Sequence, residues 1–236
     1  MPTSSRFRLS NLLLAALPRN EYERLSPHLH RVRLAKGRLL YHAGDHVRQA
    51  YFPTSGMCSL LATTEKGMLL EVGMVGNEGL VGLPAVLRID AMPYQVIVQI
   101  EADAFRLRAD VLRAEFDHGG RLQDLLLKYA HALLTQVSQS AVCNRFHTIE
   151  ERLCRWLLIS QDRVQTDTVH LTQEFLSYML GVPRTGVTLA AGNLQKRRLI
   201  DYRRGRITIL ERARLERAAC ECYRVVRAET ERVLAA

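Results

Sequence analysis

From about residue 29 to residue 108 the chain is interrupted by Gly37, Gly44, Gly56, Gly67, Gly76, Gly79 and Gly82, with seven to twelve residues between most turn signals. Between these breaks the side chains alternate or run in short β-rich stretches, at residues 32–34, 38–41, 50–52, 69–72 and 96–98. Strands that short, with no room for crossover helices between them, pair as antiparallel neighbours and close into a small barrel or roll. The period then changes: residues 121–144 contain no Gly and no Pro and read as one long helix, with helices and a further short β pair beyond it. The expected class is α+β, with an N-terminal antiparallel β-roll of the double-stranded β-helix or jelly-roll kind, a long helix, and a C-terminal helical domain.

Composition narrows what such a chain does. With 236 residues, 47% hydrophobic and 24% charged, it is a core-forming chain and neither disordered nor fibrous. The longest uncharged runs, residues 49–64 and 129–144, are diluted by Ser, Thr, Gln, His and Gly, so no membrane span is expected. Arg6 and Arg8 precede only six apolar residues with no cleavage site, so the expected location is the cytoplasm. Nucleophile-elbow, His-Glu-x-x-His and phosphate-loop motifs are all missing, which argues against an enzyme. The eight histidines, at 28, 30, 42, 46, 118, 131, 147 and 170, are scattered. His28-x-His30 and His42-x-x-x-His46 can be pictured as haem or metal ligands, but on turn-rich strands they read as surface residues. Cys58, Cys143, Cys154, Cys220 and Cys222 form no CxxC pair and no Cys-His spacing that closes a zinc tetrahedron. They are expected to be small buried apolar residues, with no metal and no cofactor.

Several local signals fix boundaries. A short helical pattern at residues 9–17 stops at Pro18, and Asn20-x-x-Glu23 has the form of a capping box. Asp110 is placed to cap a brief helix ending at Gly119-Gly120. The long helix carries two heptad stripes: Leu122, Leu126, Tyr129, Leu133, Gln136, Ser140 and Cys143 in one register, and Leu127, Ala130, Leu134, Val137 and Ala141 in the other. One stripe can lie on the roll while the other meets an identical helix, and the seam of a homodimer is assigned to Leu122, Leu126, Tyr129, Leu133, Gln136 and Ser140. Thr148-x-x-Glu151 is a second capping box, opening a new domain. The expected division is 1–120 for the roll, 121–146 for the dimerisation helix and hinge, and 147–236 for the rest.

The net charge is +9, and a basic chain of this size suits a polyanion. The excess is local: Arg184, Lys196, Arg197, Arg198, Arg203, Arg204 and Arg206 stand against the single Asp201. In the same window Gln173, Ser177, Gly181, Val187 and Ala190 fall at the spacing of a helix-turn-helix. A small Ser177 permits close approach, Gly181 supplies the left-handed turn, and Leu176, Leu180, Val187 and Leu194 face the core. Pro183 suits the first turn of the second helix. Outward residues at that helix's start, Arg184, Thr185, Thr188 and Leu189, are the expected base readers, with Thr172 and Gln173 beside them. Lys196 is expected to hold phosphate. Residues 199–209 form two β runs around a turn that presents Arg203, Arg204 and Arg206 to phosphates, a wing.

A glycine-punctuated roll, a long helix and a winged helix-turn-helix, in that order and over nearly the whole chain, resemble the Crp/Fnr superfamily of bacterial transcription regulators. The resemblance implies a cyclic-nucleotide-binding-like effector domain, a homodimer on a two-fold symmetric operator in double-stranded DNA, and RNA polymerase as a further partner. The cyclic AMP motif of that family, a Gly-Glu pair followed by Arg-Ser or Arg-Thr, is absent: Leu83 follows Gly82 where the Glu belongs, and Arg88 precedes Ile89. Gly82, Leu83 and Arg88 therefore mark the expected effector pocket, with a ligand other than cyclic AMP. The alternative is a cyclic mononucleotide or dinucleotide receptor with an atypical pocket. The N-terminal cysteine cluster that holds an iron-sulfur centre in oxygen-sensing relatives is absent as well. Thr185 and Gly186 replace the Glu that often follows the recognition arginine, so the operator is expected to differ from familiar ones.

Overall fold

The computed structural model describes residues 10–235; Arg6, Arg8 and Leu9, which entered the reading of the N-terminus, lie outside the described residues. Helix α1 (Leu12–Ala15) is capped by Asn11, whose Oδ1 accepts from the Leu14 amide at 3.2 Å. The fully buried Asn11 Nδ2 donates to the carbonyls of Pro53 and Gly79, each at 2.9 Å, and so ties this short helix to the roll. Helix α2 (Arg19–Leu25) starts two residues earlier than the Asn20 box requires: Pro18 is its N-cap, and Glu23 pairs with Arg19 at 2.7 Å instead of closing a box.

Seven strands make the roll: β1 (His30–Leu34), β2 (Leu39–Tyr41), β3 (Gln49–Pro53), β4 (Met57–Thr63), β5 (Leu69–Val75), β6 (Gln95–Ile100) and β7 (Ala102–Arg108). They form two antiparallel sheets, ordered β1-β7-β3 and β2-β6-β4-β5. Gly56 shows why glycine recurs here: it sits at φ +68°, and a Cβ there would lie 2.1 Å from the Glu101 carbonyl oxygen. Helix α3 (Ala109–Asp117) has Arg108 at its N-cap and no capping bond. Asp110 falls inside the first turn and pairs with Arg108 rather than capping.

Helix α4 (Arg121–Phe146) is begun by a residue from far away in sequence. The carboxylate of Glu21 accepts from the amides of Arg121 at 2.9 Å and Leu122 at 2.8 Å, satisfying two free donors and meeting the positive end of the helix. The stripe assigned to the dimer seam is turned inward. Leu122, Leu126, Tyr129, Leu133, Gln136 and Ser140 are all buried within one chain. Tyr129 Oη donates to the Leu80 carbonyl, and its ring lies so close to Gly79 that a Cβ there would stand 2.4 Å from the hydroxyl oxygen. Gln136 brackets Met74, accepting from its amide at 2.8 Å and donating to its carbonyl at 3.1 Å. Because the roll occupies that face, those six residues are core, and the second stripe is left outside: Leu127 is 51% exposed and Leu134 64%.

Beyond α4 come α5 (Ile149–Val164), β8 (Thr168–His170), α6 (Gln173–Leu180), α7 (Arg184–Lys196), β9 (Ile200–Arg203), β10 (Arg206–Ile209), α8 (Arg212–Ala218) and α9 (Cys222–Ala235). The Thr148–Glu151 capping box is formed in full. Strands β8-β10-β9 make a small antiparallel sheet, and α9 returns to pack along α4, where His131 Nδ1 lies 3.5 Å from a Glu229 carboxylate oxygen. Two hydrophobic cores result. One fills the roll and takes in the inner face of α4; the other joins α5 to α9 with Met57, Leu61 and Met74 of the roll. Among the described residues no helix is long and apolar enough to cross a membrane.

Candidate nucleic-acid interface

Helix α6 is opened by Thr172, whose hydroxyl accepts from the Phe175 amide at 3.2 Å. It is closed by Gly181 in the left-handed conformation, φ +58° and ψ +40°. The chain turns there, Val182 donating back to the Ser177 carbonyl at 3.1 Å, and Pro183 stands at the N-cap of α7, one position before its first turn. Leu176, Leu180, Val187 and Leu194 are buried, as the hairpin spacing requires. Gly186 passes so close to Ile149 that a Cβ would meet its Cδ1 at 2.8 Å, which seats α7 on the start of α5.

With that side of α7 buried, the opposite side is fixed: Arg184, Thr185, Thr188, Leu189 and Lys196 are all exposed. Leu189, 68% exposed, is a large apolar side chain turned to solvent. The Thr188 hydroxyl lies 2.9 Å from Gln173 Oε1 and 3.0 Å from the Arg184 carbonyl, joining the two helices of the hairpin at their outer edge. The wing is a two-residue hairpin, Arg204-Gly205, with φ of +49° and +74°, both in the left-handed region. Arg203 and Arg206 are opposite partners in its ladder, and both are exposed with Arg204 at the tip. Thr172, Gln173, Arg184, Tyr202, Arg204 and Gly205 line one open cleft between the hairpin and the wing. Tyr202 forms its floor, its hydroxyl donating to the Leu171 carbonyl at 3.0 Å.

The cations of this surface divide into two kinds. Arg197 is held by Glu150, and Arg203 pairs with Asp201 at 3.1 Å. Among the described residues Arg184, Lys196, Arg204 and Arg206 make no ion pair. A group of uncompensated cations around a concave cleft attracts a polyanion.

The three residues expected to mark an effector pocket do not converge. Gly82, at φ +107°, backs onto the Gln49 carbonyl and Ala50, and Leu83 is buried in the roll core. Arg88 is largely exposed, with its guanidinium 3.2 Å from Asp117 on α3. A buried cyclic phosphate requires a cation beside it, and this segment places none inside the roll.

Sequence reasoning missed the contacts that join the two halves of the chain. Arg163 of α5 donates to Glu78 at 2.7 Å, both side chains being buried. Glu71 of β5 accepts from Trp156 Nε1 at 2.7 Å and from Ser59 Oγ at 2.5 Å. Lys36 Nζ donates to the His170 carbonyl at 2.6 Å. Burial pushes the Glu71 carboxyl up to about 7, against the pull of its two hydrogen bonds and of Arg155 and Arg163. Sequence reasoning also missed a group formed by Cys143, His147, Cys220 and Cys222, whose ligating atoms lie within 4.8 Å of one another. The group is split between two segments 77 residues apart, so no local spacing shows it.

A β-roll followed by a long helix and a winged helix-turn-helix defines the two-part architecture of a transcription regulator. The comparisons agree in both halves. Residues 31–118 match the cyclic nucleotide-binding domain, and residues 151–218 match the Crp-like helix-turn-helix domain. The chain belongs to the Crp/Fnr superfamily, whose members among its structural neighbours are transcription regulators. FixK2 from Bradyrhizobium japonicum superposes with a TM-score of 0.70 at 13% identity, over 81% of this chain and 98% of that one. The c-di-GMP-responsive global regulator CLP from Xanthomonas campestris gives 0.67 at 17% identity, over 81% and 99%. A CRP-family transcriptional regulator from Thermus thermophilus gives 0.65 at 22% identity, over 80% and 96%. No curated protein matches the chain significantly in sequence.

Proposed function

We propose that the chain is a cytoplasmic, homodimeric, sequence-specific DNA-binding transcription regulator that docks α7 in the major groove and the wing on the flanking phosphates. The observation that carries this reading is the cleft between α6, α7 and the wing, around which Arg184, Arg204 and Arg206 are exposed and unneutralised. Arg184 reads a base, Thr185, Thr188 and Leu189 contact neighbouring edges or thymine methyls, and Arg203, Arg204, Arg206 and Lys196 hold phosphate. In this reading the roll through residue 120 is the effector domain, 121–146 couples it to DNA, and the DNA-binding domain begins at 147. At a promoter the protein meets RNA polymerase as well.

The dimer is formed by the outward stripe of α4, Leu127, Leu134 and Ala141, in place of the inward residues. An exposed heptad of this kind finds a partner most simply in its own copy. The effector is not cyclic AMP bound in the usual manner, since Leu83 lies in the core and Arg88 is committed to Asp117. A second reading, a cyclic mononucleotide or dinucleotide receptor with other donors, draws support from the family model over 31–118. Titration with a nucleotide panel separates the two.

The test combines selection from random duplexes with binding at several salt concentrations. A two-fold symmetric site is expected, with half-site centres about one helical turn apart. Replacing Arg203, Arg204 and Arg206 by Ala should weaken all duplexes alike and flatten the salt slope. Leu127→Lys with Leu134→Lys should give folded monomers in sedimentation. Salt-independent binding, or an unsymmetric selected site, defeats the reading.

A further inference from the structure

We propose that Cys143, His147, Cys220 and Cys222 form a closed, tetrahedral zinc site that fastens the C-terminal helix to the hinge between the long helix and the DNA-binding domain. The four ligands come from two segments. Cys143 lies in the last turn of α4 and His147 is its extended C-cap, tied to it by the His147 amide donating to the Cys143 carbonyl at 3.2 Å. Cys220 and Cys222 flank the start of α9, where Ala219 is extended and Tyr223 donates to the Cys220 carbonyl at 3.2 Å. That knuckle turns both sulfurs toward α4.

The distances suit a single ion. Cys143 Sγ lies 3.5 Å from Cys220 Sγ, Cys222 Sγ lies 3.6 Å from His147 Nδ1, and all four ligand atoms fall within 4.8 Å of one another. Zinc bonds of about 2.3 Å to sulfur and 2.0–2.1 Å to nitrogen place tetrahedral sulfurs about 3.8 Å apart and sulfur and nitrogen about 3.5 Å apart. Only the longest separations must shorten, by about 1 Å. An iron-sulfur cluster spreads its ligands over several irons and requires a wider set.

The surroundings support the same assignment. The three sulfurs form a buried cluster separate from both main cores. His147 aims Nδ1 at the sulfurs, while Nε2 stands 3.3 Å from a Glu221 carboxylate oxygen. That is the carboxylate–histidine–metal arrangement, in which the outer carboxylate fixes the tautomer and the ring. Three thiolates and one divalent ion carry a net charge of −1, and the buried guanidiniums of Arg152 and Arg155 stand close enough to offset it. Arg155 is steered by Ser140 Oγ at 2.9 Å and Arg152 by Asn144 Oδ1 at 2.7 Å, both on α4, and Arg152 also donates to the Leu180 carbonyl at the end of α6. With four protein ligands the site has no open position, so its role is structural. A disulfide between Cys143 and Cys220 would leave Cys222 and His147 facing it without a function.

The experiment uses the full chain purified under reducing conditions, with metal content measured by elemental analysis and, after chelation, by titration with Co2+. The expected results are one zinc per chain, and for cobalt the intense visible bands of a tetrahedral thiolate site together with near-ultraviolet thiolate-to-metal charge transfer. Cys222→Ser should lose both signals, whereas Cys58→Ser, remote from the site, should keep them. Glu221→Gln leaves every ligand in place and should weaken cobalt affinity by about 10–100-fold. The cobalt titration of the unaltered chain needs no variant to fold. A chain that purifies without metal and gives no tetrahedral cobalt spectrum overturns the proposal. So does iron with an iron-sulfur absorption, or a Cys143–Cys220 disulfide found by mass mapping of the protein as isolated.

Discussion

Two groups of arginines in the C-terminal domain are treated by the chain in opposite ways. Arg152, Arg155 and Arg163 are buried on α5, and each is held by a named partner: Arg152 by Asn144 and Leu180, Arg155 by Ser140, Arg163 by Glu78. Arg184, Arg204 and Arg206 are exposed around one cleft and, among the described residues, have no ion-pair partner. Burying a guanidinium is costly unless its donors are satisfied, so the first set is matched within the chain. Exposed cations incur no such cost, and a cluster left unneutralised is available to an external polyanion. The comparison predicts that the first set governs stability and the second governs binding.

The largest effect should come from breaking the buried pair. Glu78→Ala leaves Arg163 charged and enclosed, its Nη1 already without a hydrogen-bond partner, and should lower stability by about 3–5 kcal/mol in denaturant unfolding. Arg184→Ala, by contrast, should change stability by no more than about 0.5 kcal/mol. If the two variants destabilise equally, the division between the populations is wrong.

Glu71 sharpens the same comparison, because it is a buried carboxyl facing Arg155 and Arg163 at the seam between the roll and the C-terminal domain. Its carboxyl is raised by burial from an ordinary 4.5 to about 7. A raised pKa means the folded chain holds the proton more tightly than the unfolded one. The associated stability is therefore complete below about pH 4.5 and disappears as pH climbs to about 7, an effect of about 3 kcal/mol. Glu71→Gln cannot ionise, so it should match the parent near pH 5 and exceed it near pH 8. Parallel stability curves for the two proteins across that range would show that Glu71 is not held protonated.

What the sequence made legible follows from how local each signal is. The strands announce themselves through glycines that must adopt positive φ or pass close to backbone, and the hairpin through Gly181 and buried Leu176 and Val187. The two stripes of α4 were visible, but nothing local says which of two equivalent heptads the roll will cover; that is decided by Gly79 and Met74, far away in sequence. The Asn20 box failed because helix α2 begins at Arg19, which takes Glu23 for itself. The interdomain pairs and the Cys-His group depend on segments tens of residues apart, so the fold creates them and no spacing foretells them.

The smallest predicted effect separates two cations on one helix. Arg184 is the first residue of α7 and lines the cleft, whereas Lys196 is its last residue, about three turns further along. A guanidinium fork at the first turn can bond the O6 and N7 of guanine together, so Arg184→Ala should cost about 1–3 kcal/mol and relax preference at one base pair in each half-site. The Lys196 ammonium is a point charge that meets phosphate. Lys196→Ala should weaken every duplex by a similar factor, lower the salt slope by about 1, and leave the selected sequence unchanged. The pair of outcomes is informative because both variants remove one positive charge from the same exposed face. If both relax the same base preference, or if neither does, α7 does not lie in the groove with its N-terminus foremost.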